Sequence, residues 1–230
     1  MVLERPALEW GANDTPRSLR FGDTYYASAD GRAEAEHVFL AGNDLPRRWA
    51  GMAEGTRFHL AEVGFGTGLN FLTTLAHWQA ASPRARLLYT AFEFAPHGEA
   101  DRRRALAPWP GLLAIGAPYL AAMPERPGWH CFSVGTVCLR LGLGDANTLI
   151  PAMAPPADAW YLDGFSPAKN PEAWGSGLLR AVARYTAPGG SFATFTAAGH
   201  VRRTLSEAGF RVERCAGFGH KRHMSRGWRS

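Results

Sequence analysis

The sequence predicts an α/β protein with a mostly parallel sheet that has helices on both faces, and three features support this. From Phe58 onward, short apolar runs alternate with longer segments of helical periodicity. A glycine-rich loop follows the first of these runs and opens a helix. The last two apolar runs have no helix between them, which predicts an antiparallel final pair.

The individual elements follow from the same periodicities. Gly135 lies between two short runs that are expected to form a hairpin, and residues 1–57 do not follow the strand–helix rhythm. We therefore expect an N-terminal extension, residues 1–57, packed on a core domain of residues 58–230. The predicted strands cover 58–63, 87–92, 130–133, 137–141, 157–162, 191–196, 210–215 and 221–228, and the predicted helices 69–81, 97–106, 112–123, 146–153, 177–185 and 200–208.

Composition excludes several classes of protein. The chain has 230 residues, of which 46% are hydrophobic and 20% charged, as expected of a soluble globular protein. No stretch of about eighteen apolar residues is present, so neither a transmembrane helix nor membrane association is expected. The beginning of the chain lacks the apolar region of a signal peptide. Three cysteines without C-x-x-C spacing favour a reducing, cytoplasmic setting.

The positive charge is concentrated at the end of the chain. Residues 200–230 hold eight basic and two acidic side chains, a net charge of +6, whereas the whole chain carries +5. Such a patch suits a polyanion such as a nucleic acid, but it is equally compatible with a solvated arginine-rich surface. His220 and His223 have a metal-like spacing, yet no acid or cysteine lies nearby in the sequence, so no metal is expected.

The glycine-rich loop indicates the class of cofactor. It contains Gly64, Gly66 and Gly68, where a dinucleotide fingerprint would require glycine at the position of Leu69. Glu62 precedes the first glycine by two residues, and an acid there suits a ligand with an ammonium and a sulfonium better than a pyrophosphate. The pattern is typical of S-adenosylmethionine (SAM) binding, with Phe65, Thr67 and Asn70 in the same loop.

Two further acids follow strands. Glu93 ends the second strand, where a carboxylate can bind ribose hydroxyls. Asp145 follows the predicted hairpin and is suited to meet an adenine amino group. Asp145 can also be the N-cap of the next helix, and one residue can serve both roles.

The most distinctive segment is Asp163–Trp174, in which an aspartate ends a buried strand and a Gly/Pro-rich loop follows. At this segment the chain resembles the tRNA 5-methylaminomethyl-2-thiouridine methyltransferases, which occur as stand-alone enzymes and as one half of a bifunctional protein. The matching segments span almost the whole chain in order: Asp23–Ser28, Val38–Asn43, Glu62–Leu72, Asp163–Trp174, Ala193–Gly199, Val201–Arg203 and Gly217–Arg222.

The resemblance implies a Rossmann-like fold with a mostly parallel seven-stranded sheet, and SAM-dependent methylation of the aminomethyl group on the wobble uridine in a tRNA anticodon loop. At the positions that match the family's motifs, the resemblance implies that SAM is bound by residues 64–68, Glu93 and Asp145. Asp163 would face the acceptor amine. The bifunctional relatives continue into an FAD-dependent oxidase. No second glycine fingerprint is present here, so we expect neither FAD nor the oxidase step.

Residue chemistry suggests how such a site would work. Asp163 would orient the neutral amine and stabilise the ammonium that develops, although an aspartate of ordinary pKa near 4 is a weak base. The alternative for Asp163 is a loop-capping residue. The candidates to stack on an extruded base are Tyr25, Tyr26 and Phe165. We expect at least one of these three to pack in the core instead. Candidates for phosphate contact are Lys169, Lys221 and Arg222.

Three other functions remain open on the sequence alone. A methyltransferase acting on a protein or a small-molecule amine would retain the glycine loop but leave the basic segment unexplained. A non-catalytic RNA-binding module would be expected to have lost Glu62, Glu93, Asp145 and Asp163. An NAD-dependent oxidoreductase is disfavoured by Leu69.

Overall fold

In the computed structural model, residues 3–230 are described except 12–13, 29, 82–83, 122 and 125. The N-terminal region begins with a small antiparallel sheet of three short strands. A helix follows, which continues into a π-helical segment at Glu36–Ala41, and then a second helix. Their bounds are Leu8–Trp10 (β1), Pro16–Ser18 (β2), Asp23–Thr24 (β3), Gly31–Ala35 (α1) and Leu45–Ala50 (α2).

An eight-stranded sheet forms the centre of the molecule. Its strands are Arg57–Val63 (β4), Arg86–Glu93 (β5), Gly128–Val134 (β6), Val137–Leu143 (β7), Ala157–Leu162 (β8), Thr186–Thr194 (β9), Phe210–Ala216 (β10) and His223–Arg229 (β11). They are ordered β10-β11-β9-β8-β4-β5-β7-β6 across the sheet.

Parallel pairing dominates the middle of this sheet, as predicted. β4 pairs in parallel with β5 and β8, and the parallel arrangement extends outward to β7 and β9. The two C-terminal strands are antiparallel to each other, and β11 lies between β9 and β10. The expected hairpin is present as β6 and β7. Because β6 joins the edge of the sheet, the sheet has eight strands, as many as the periodicity predicts and one more than the resemblance implies.

The helices that connect these strands are Leu69–Ala81 (α3), Glu99–Leu106 (α4), Pro110–Leu120 (α5), Ala146–Leu149 (α6), Ser176–Arg184 (α7) and Gly199–Glu207 (α8). α3 has the predicted bounds, and the other boundaries lie within a few residues of the prediction except at α6. α6 is a single turn because Pro151 follows it in a 3-10 turn, Ile150–Ala152. No helix in the described part of the chain is long and apolar enough to cross a membrane.

One strand starts earlier than its sequence suggests. Pro188, Gly189 and Gly190 predict a loop before residue 191, but β9 begins at Thr186. Thr186 pairs with Ala157 before the glycines, and the register then shifts so that Ser191 pairs with Ala159. A bulge thus accommodates residues that would interrupt a regular strand.

The N-terminal region packs into the same core as the sheet. Phe39 contacts Tyr161 of β8 at a ring-centroid distance of 5.0 Å, and Trp49 meets Trp78 of α3 at 5.2 Å. All four side chains are at most 2% exposed. This packing brings α1 to the carboxyl edge of the sheet. The expected boundary at residue 57, between an N-terminal extension and a core domain, stays a prediction.

Candidate active site

A cavity of about 800 Å³ opens at the carboxyl ends of the central parallel strands. The loops that follow β4, β5, β7 and β8 all reach it, which is where open α/β sheets bind ligands. Most residues of the segment 18–28, and residues of α1, line it as well. The cavity is therefore bounded both by the strand ends and by the N-terminal region.

The glycine loop after β4 has a conformation that requires glycine. Gly64, Gly66 and Gly68 have φ angles of +91°, +53° and +86°, a region that other residues rarely adopt. A Cβ atom on Gly64 would lie 1.7 Å from the carbonyl oxygen of Asp163. The glycine at position 64 therefore lets the loop pack directly against the residues that follow β8, and Phe65 and Thr67 beside it are 5% and 3% exposed.

Glu93 at the end of β5 is held by backbone donors. Its Oε2 accepts a hydrogen bond from the Gly66 amide at 2.7 Å, and its Oε1 accepts one from the Ala95 amide at 2.7 Å. Burial raises the pKa of Glu93, although these amide hydrogen bonds oppose the increase. Glu93 thus links β5 to the glycine loop and faces the cavity with its remaining lone pairs.

Asp145 lies between β7 and α6 and also lines the cavity. Its Oδ1 accepts a hydrogen bond from the Asn147 amide at 2.9 Å, so it is the N-cap of α6. The capping role considered from the sequence is therefore present. It does not exclude ligand binding, because both hydrogen bonds from Asn147 go to the same oxygen, Oδ1.

Asp163 at the end of β8 is connected to a second buried acid by one amide group. Asn70 Nδ2 donates to Asp163 Oδ2 at 2.7 Å and to Glu62 Oε1 at 2.8 Å. The other oxygen of Glu62 accepts a hydrogen bond from Tyr89 at 2.8 Å. Asn70, predicted as part of the cofactor loop, therefore bridges two carboxyl groups, one of which faces the cavity.

The environment of Asp163 changes its acid–base properties. Burial, and then the nearby charge of Glu34, raise its pKa from 3.8 to about 7, while Asn70 and Lys221 oppose the increase. Burial also raises the pKa of Glu62 well above its usual value. The sequence-based assumption of an ordinary aspartate is therefore wrong, and Asp163 is a suitable proton acceptor near neutral pH.

Glu34 is a site residue that the sequence analysis missed. It lies on α1 and is 7% exposed. Its Oε1 accepts a hydrogen bond from Lys221 Nζ at 2.6 Å, and its Oε2 accepts one from the Ala27 amide at 2.8 Å. A lone acid in a charged helical segment carries no sequence signal, and only the fold brings it beside Asp163.

Aromatic side chains line the mouth of the cavity. The Phe165 ring stacks on Phe21 at 4.8 Å and meets the edge of Tyr25 at 4.9 Å. Phe94, which also lines the cavity, is 50% exposed. Tyr26 differs, because it is 8% exposed and its hydroxyl donates to the Ala105 carbonyl at 2.8 Å. For Tyr26, the core-packing alternative describes the structure and base stacking does not.

A second N-terminal acid fastens the loop after β8. Asp23 accepts hydrogen bonds from the Ser166 amide at 3.0 Å and from Lys169 Nζ at 2.9 Å. Burial acts to raise the pKa of Asp23, but these two donors lower it overall. Lys169 also donates to the Gly22 carbonyl at 2.6 Å. The predicted phosphate-binding lysine therefore connects two walls of the cavity.

The basic C-terminal segment divides into two groups. Arg226 pairs with Glu213 at 3.4 Å, and Arg229 donates to the Ala183 carbonyl at 2.7 Å, so both serve the fold. Exposed basic residues in the same segment include Arg203, Arg211, Arg214 and Arg222. Within the described ranges, no group of three or more His, Cys, Asp or Glu side chains could hold a metal ion.

Comparison with known proteins agrees with this geometry. Residues 117–230 match a family model described as S-adenosyl-L-methionine-dependent methyltransferase. A tRNA 5-methylaminomethyl-2-thiouridine biosynthesis bifunctional protein MnmC from Stutzerimonas stutzeri is 47% identical over 98% of this chain and 35% of its own length. The protein of the same name from Chromobacterium violaceum is 45% identical over 99% of this chain and 35% of its own.

A solved structure supports the fold. The crystal structure of MNMC2 from Aquifex aeolicus superposes with a TM-score of 0.76 at 24% identity, covering 97% of this chain and 70% of that one. The chain spans about a third of the length of the curated MnmC relatives, so their complete activities do not transfer with the alignment. The similarity to these MnmC proteins over almost the whole chain, the family match over residues 117–230 and the shared fold make this chain similar to the S-adenosyl-L-methionine-dependent methyltransferases.

Proposed function

We propose that this protein transfers a methyl group from SAM to the primary amine of the 5-aminomethyl group on a tRNA wobble uridine. The observation that carries the proposal is the position of Asp163, whose carboxyl group lies in the same cavity as the glycine loop. The MnmC relatives, named for tRNA 5-methylaminomethyl-2-thiouridine biosynthesis, support the choice of substrate. A tRNA substrate implies action in the cytoplasm.

The chain offers a binding group for each part of SAM. The backbone of the glycine loop, whose residues 64–67 line the cavity, would receive the methionine portion. Glu93 would accept hydrogen bonds from the ribose hydroxyls, and Asp145 one from the adenine amino group. SAM supplies the electrophilic methyl group when bound.

Asp163 would act on the acceptor. An alkyl ammonium must lose a proton before its nitrogen can attack, and a carboxylate with a pKa of about 7 takes up that proton better than an ordinary aspartate. Its hydrogen bond to Asn70 would fix the direction of the carboxylate. Asp163 would thus orient the amine and serve as its base.

The cavity mouth suits an extruded base. Tyr25, Phe165 and the exposed Phe94 offer aromatic surfaces for stacking, as recognition of single-stranded RNA requires. Exposed basic residues of the C-terminal segment, with Lys221 and Arg222, would meet the tRNA backbone.

The same charges predict which modified uridines are rejected. A carboxymethylaminomethyl group would bring a carboxylate toward Asp163 and Glu34, and like charges in a shielded site repel. The acceptor would therefore be the free aminomethyl group.

Nucleoside mass spectrometry would test the proposal. tRNA carrying either 5-aminomethyl or 5-carboxymethylaminomethyl uridine is incubated with the protein and SAM. We expect a gain of one methyl group on the first substrate and no change in the second. If SAM binds but neither tRNA is altered, the tRNA proposal is wrong, and a protein or small-molecule amine becomes the acceptor to pursue.

A further inference from the structure

The ion pair between Glu34 and Lys221 lies in the same cavity as Asp163. Both side chains line the cavity, and the charge of Glu34 acts on Asp163. Glu34 is fixed at its other oxygen by the Ala27 amide. A firmly held carboxylate therefore stands close to the carboxylate that receives the amine.

Lys221 is held much less firmly than its partner. The Lys221 side chain is 45% exposed, whereas that of Glu34 is 9% exposed. Besides Glu34, the Lys221 ammonium contacts the face of Phe195, whose ring centroid is 4.3 Å away. A partly solvated lysine on a flexible stem can leave such a pair at low cost, because water replaces what it loses.

We propose that Glu34 is a second binding carboxylate for the acceptor amine, and that Lys221 is its counter-ion until the substrate ammonium displaces it. This inference rests on the proposed function and extends it to how the amine is recognised. An ammonium between Glu34 and Asp163 would meet two carboxylates, and Lys221 would turn outward toward solvent or the tRNA backbone. Plain uridine at the same position would gain neither contact.

Proton and charge balance are consistent with this arrangement. The substrate ammonium first gives one proton to Asp163. The neutral nitrogen then attacks the methyl carbon, so a nitrogen–carbon bond forms while the carbon–sulfur bond breaks. The products are S-adenosylhomocysteine, a methylated ammonium that still carries one positive charge, and the proton on Asp163, which passes to water. Glu34 keeps its charge throughout and holds the cation before and after the transfer.

The test is a binding measurement that does not depend on turnover. Anticodon stem-loops with 5-aminomethyluridine or plain uridine at the wobble position are titrated into the protein saturated with S-adenosylhomocysteine. The ratio of the two Kd values measures recognition of the amine and cancels contacts made by the rest of the RNA. The variants are Glu34→Gln and Lys221→Met, with Glu36→Gln as the control, because Glu36 pairs with Arg32 and His77 instead.

The two variants have different expected effects, and only Glu34→Gln should reduce the preference. Glu34→Gln keeps an acceptor for the Ala27 amide but should reduce the preference for aminomethyluridine about tenfold, the scale of one hydrogen bond to a charged group. Lys221→Met should leave the preference unchanged or increase it, because the amine no longer competes with the lysine. Glu36→Gln should match the wild type. Equal losses in both variants would indicate a merely structural pair and overturn the inference, as would an unchanged Glu34→Gln.

Wild-type measurements separate this inference from the proposed function. If the wild type methylates aminomethyl tRNA and Glu34→Gln retains the wild-type preference, only the role of Glu34 is wrong. If the wild type shows no preference for aminomethyluridine and no methyl transfer, the proposed substrate is wrong and the inference is overturned with it.

Discussion

Glu93 and Asp163 both end central strands at the same cavity, yet their surroundings differ. Glu93 receives two backbone amides, one from the glycine loop and one from its own strand end. Asp163 accepts a hydrogen bond from the side-chain amide of Asn70, and a second acid, Glu34, lies near it. Backbone donors stabilise the ionised form, whereas a neighbouring negative charge favours the protonated form.

Because of this difference, we expect Glu93 to bind the ligand and Asp163 to take part in proton transfer. A carboxylate tied to backbone amides is rigid and is suited to accept hydrogen bonds from a ligand. A carboxyl group whose pKa is about 7 can gain and lose a proton at neutral pH. Variants at the two positions should therefore alter different measured quantities.

Asp163→Asn should have the largest effect on turnover. Asparagine keeps the volume and an oxygen for the Asn70 amide, but it cannot accept the substrate proton. We expect the single-turnover rate of methyl transfer to fall by roughly 10²–10⁴-fold, the usual contribution of a positioned general base. The Kd for SAM, measured by calorimetry, should change little. A near-normal rate would leave Asp163 with a loop-capping role only.

Gly64→Ala should distort the backbone of the glycine loop, which is the proposed binding site of SAM. The new Cβ would overlap the Asp163 carbonyl, and the φ angle of +91° is strained for alanine. We expect a loss of about 3 kcal/mol or more in the free energy of unfolding, together with weaker SAM binding. Thermal unfolding with and without SAM would measure both.

A matched glycine isolates the steric part of that effect. Gly189 also has a positive φ, +70°, but a Cβ there would meet nothing within 4 Å. Gly189→Ala should therefore cost only about 1–2 kcal/mol of backbone strain. Equal losses in the two variants would show that the close approach of the loop to Asp163 is unimportant.

The same comparison explains what the sequence could predict. Glu62, the glycines and α3 are contiguous, so the periodicity and the turn chemistry indicate a strand, a loop and a helix together. The central strands and the antiparallel C-terminal pair were predicted for similar reasons, and the fold and the resemblance to the MnmC proteins are confirmed. These features depend on local pattern and on the rules of α/β topology.

The acceptor side could not be predicted in the same way. It combines residues from α1, the loop after β8 and the turn before β11, and no local pattern records that Glu34, Asp163 and Lys221 meet. The raised pKa of Asp163 depends on burial and on a charge 129 positions away in the numbering of the chain. The composition of this site and the pKa of Asp163 therefore depend on which residues the fold brings together, and a local sequence pattern does not show that.

Glu93→Gln should weaken the binding of SAM but should not change how the rate of methyl transfer depends on pH. One of the two backbone amides would face the new NH₂ group and lose its acceptor, which costs roughly 1–3 kcal/mol. We expect the Kd for SAM to rise about tenfold or more, with Glu99→Gln, an exposed acid paired with Arg103, as the control.

The pH profile completes that test. Asp163 must be ionised to accept a proton, so the rate should rise with pH and level off above its pKa of about 7. Below pH 7 the rate should fall about tenfold per unit as the protonated form accumulates. Glu93 and Asp163 accept hydrogen bonds from different donors, so Glu93→Gln should leave this pH dependence in place. If the pH at which the rate levels off shifts in Glu93→Gln, the ionisation of Asp163 depends on Glu93.

Lys169→Met should have the smallest effect, and it distinguishes a loop tether from a phosphate contact. The ammonium already donates to Asp23 and to the Gly22 carbonyl, and a half-exposed ion pair contributes about 0–1 kcal/mol. We therefore expect a small rise in KM for tRNA and an unchanged salt dependence of binding. A phosphate contact would instead reduce the slope of log Kd against log salt concentration by about one. Asp23→Asn removes the partner without removing a cation, so a tether predicts similar effects from both variants, and a phosphate contact predicts a change of slope in Lys169→Met alone.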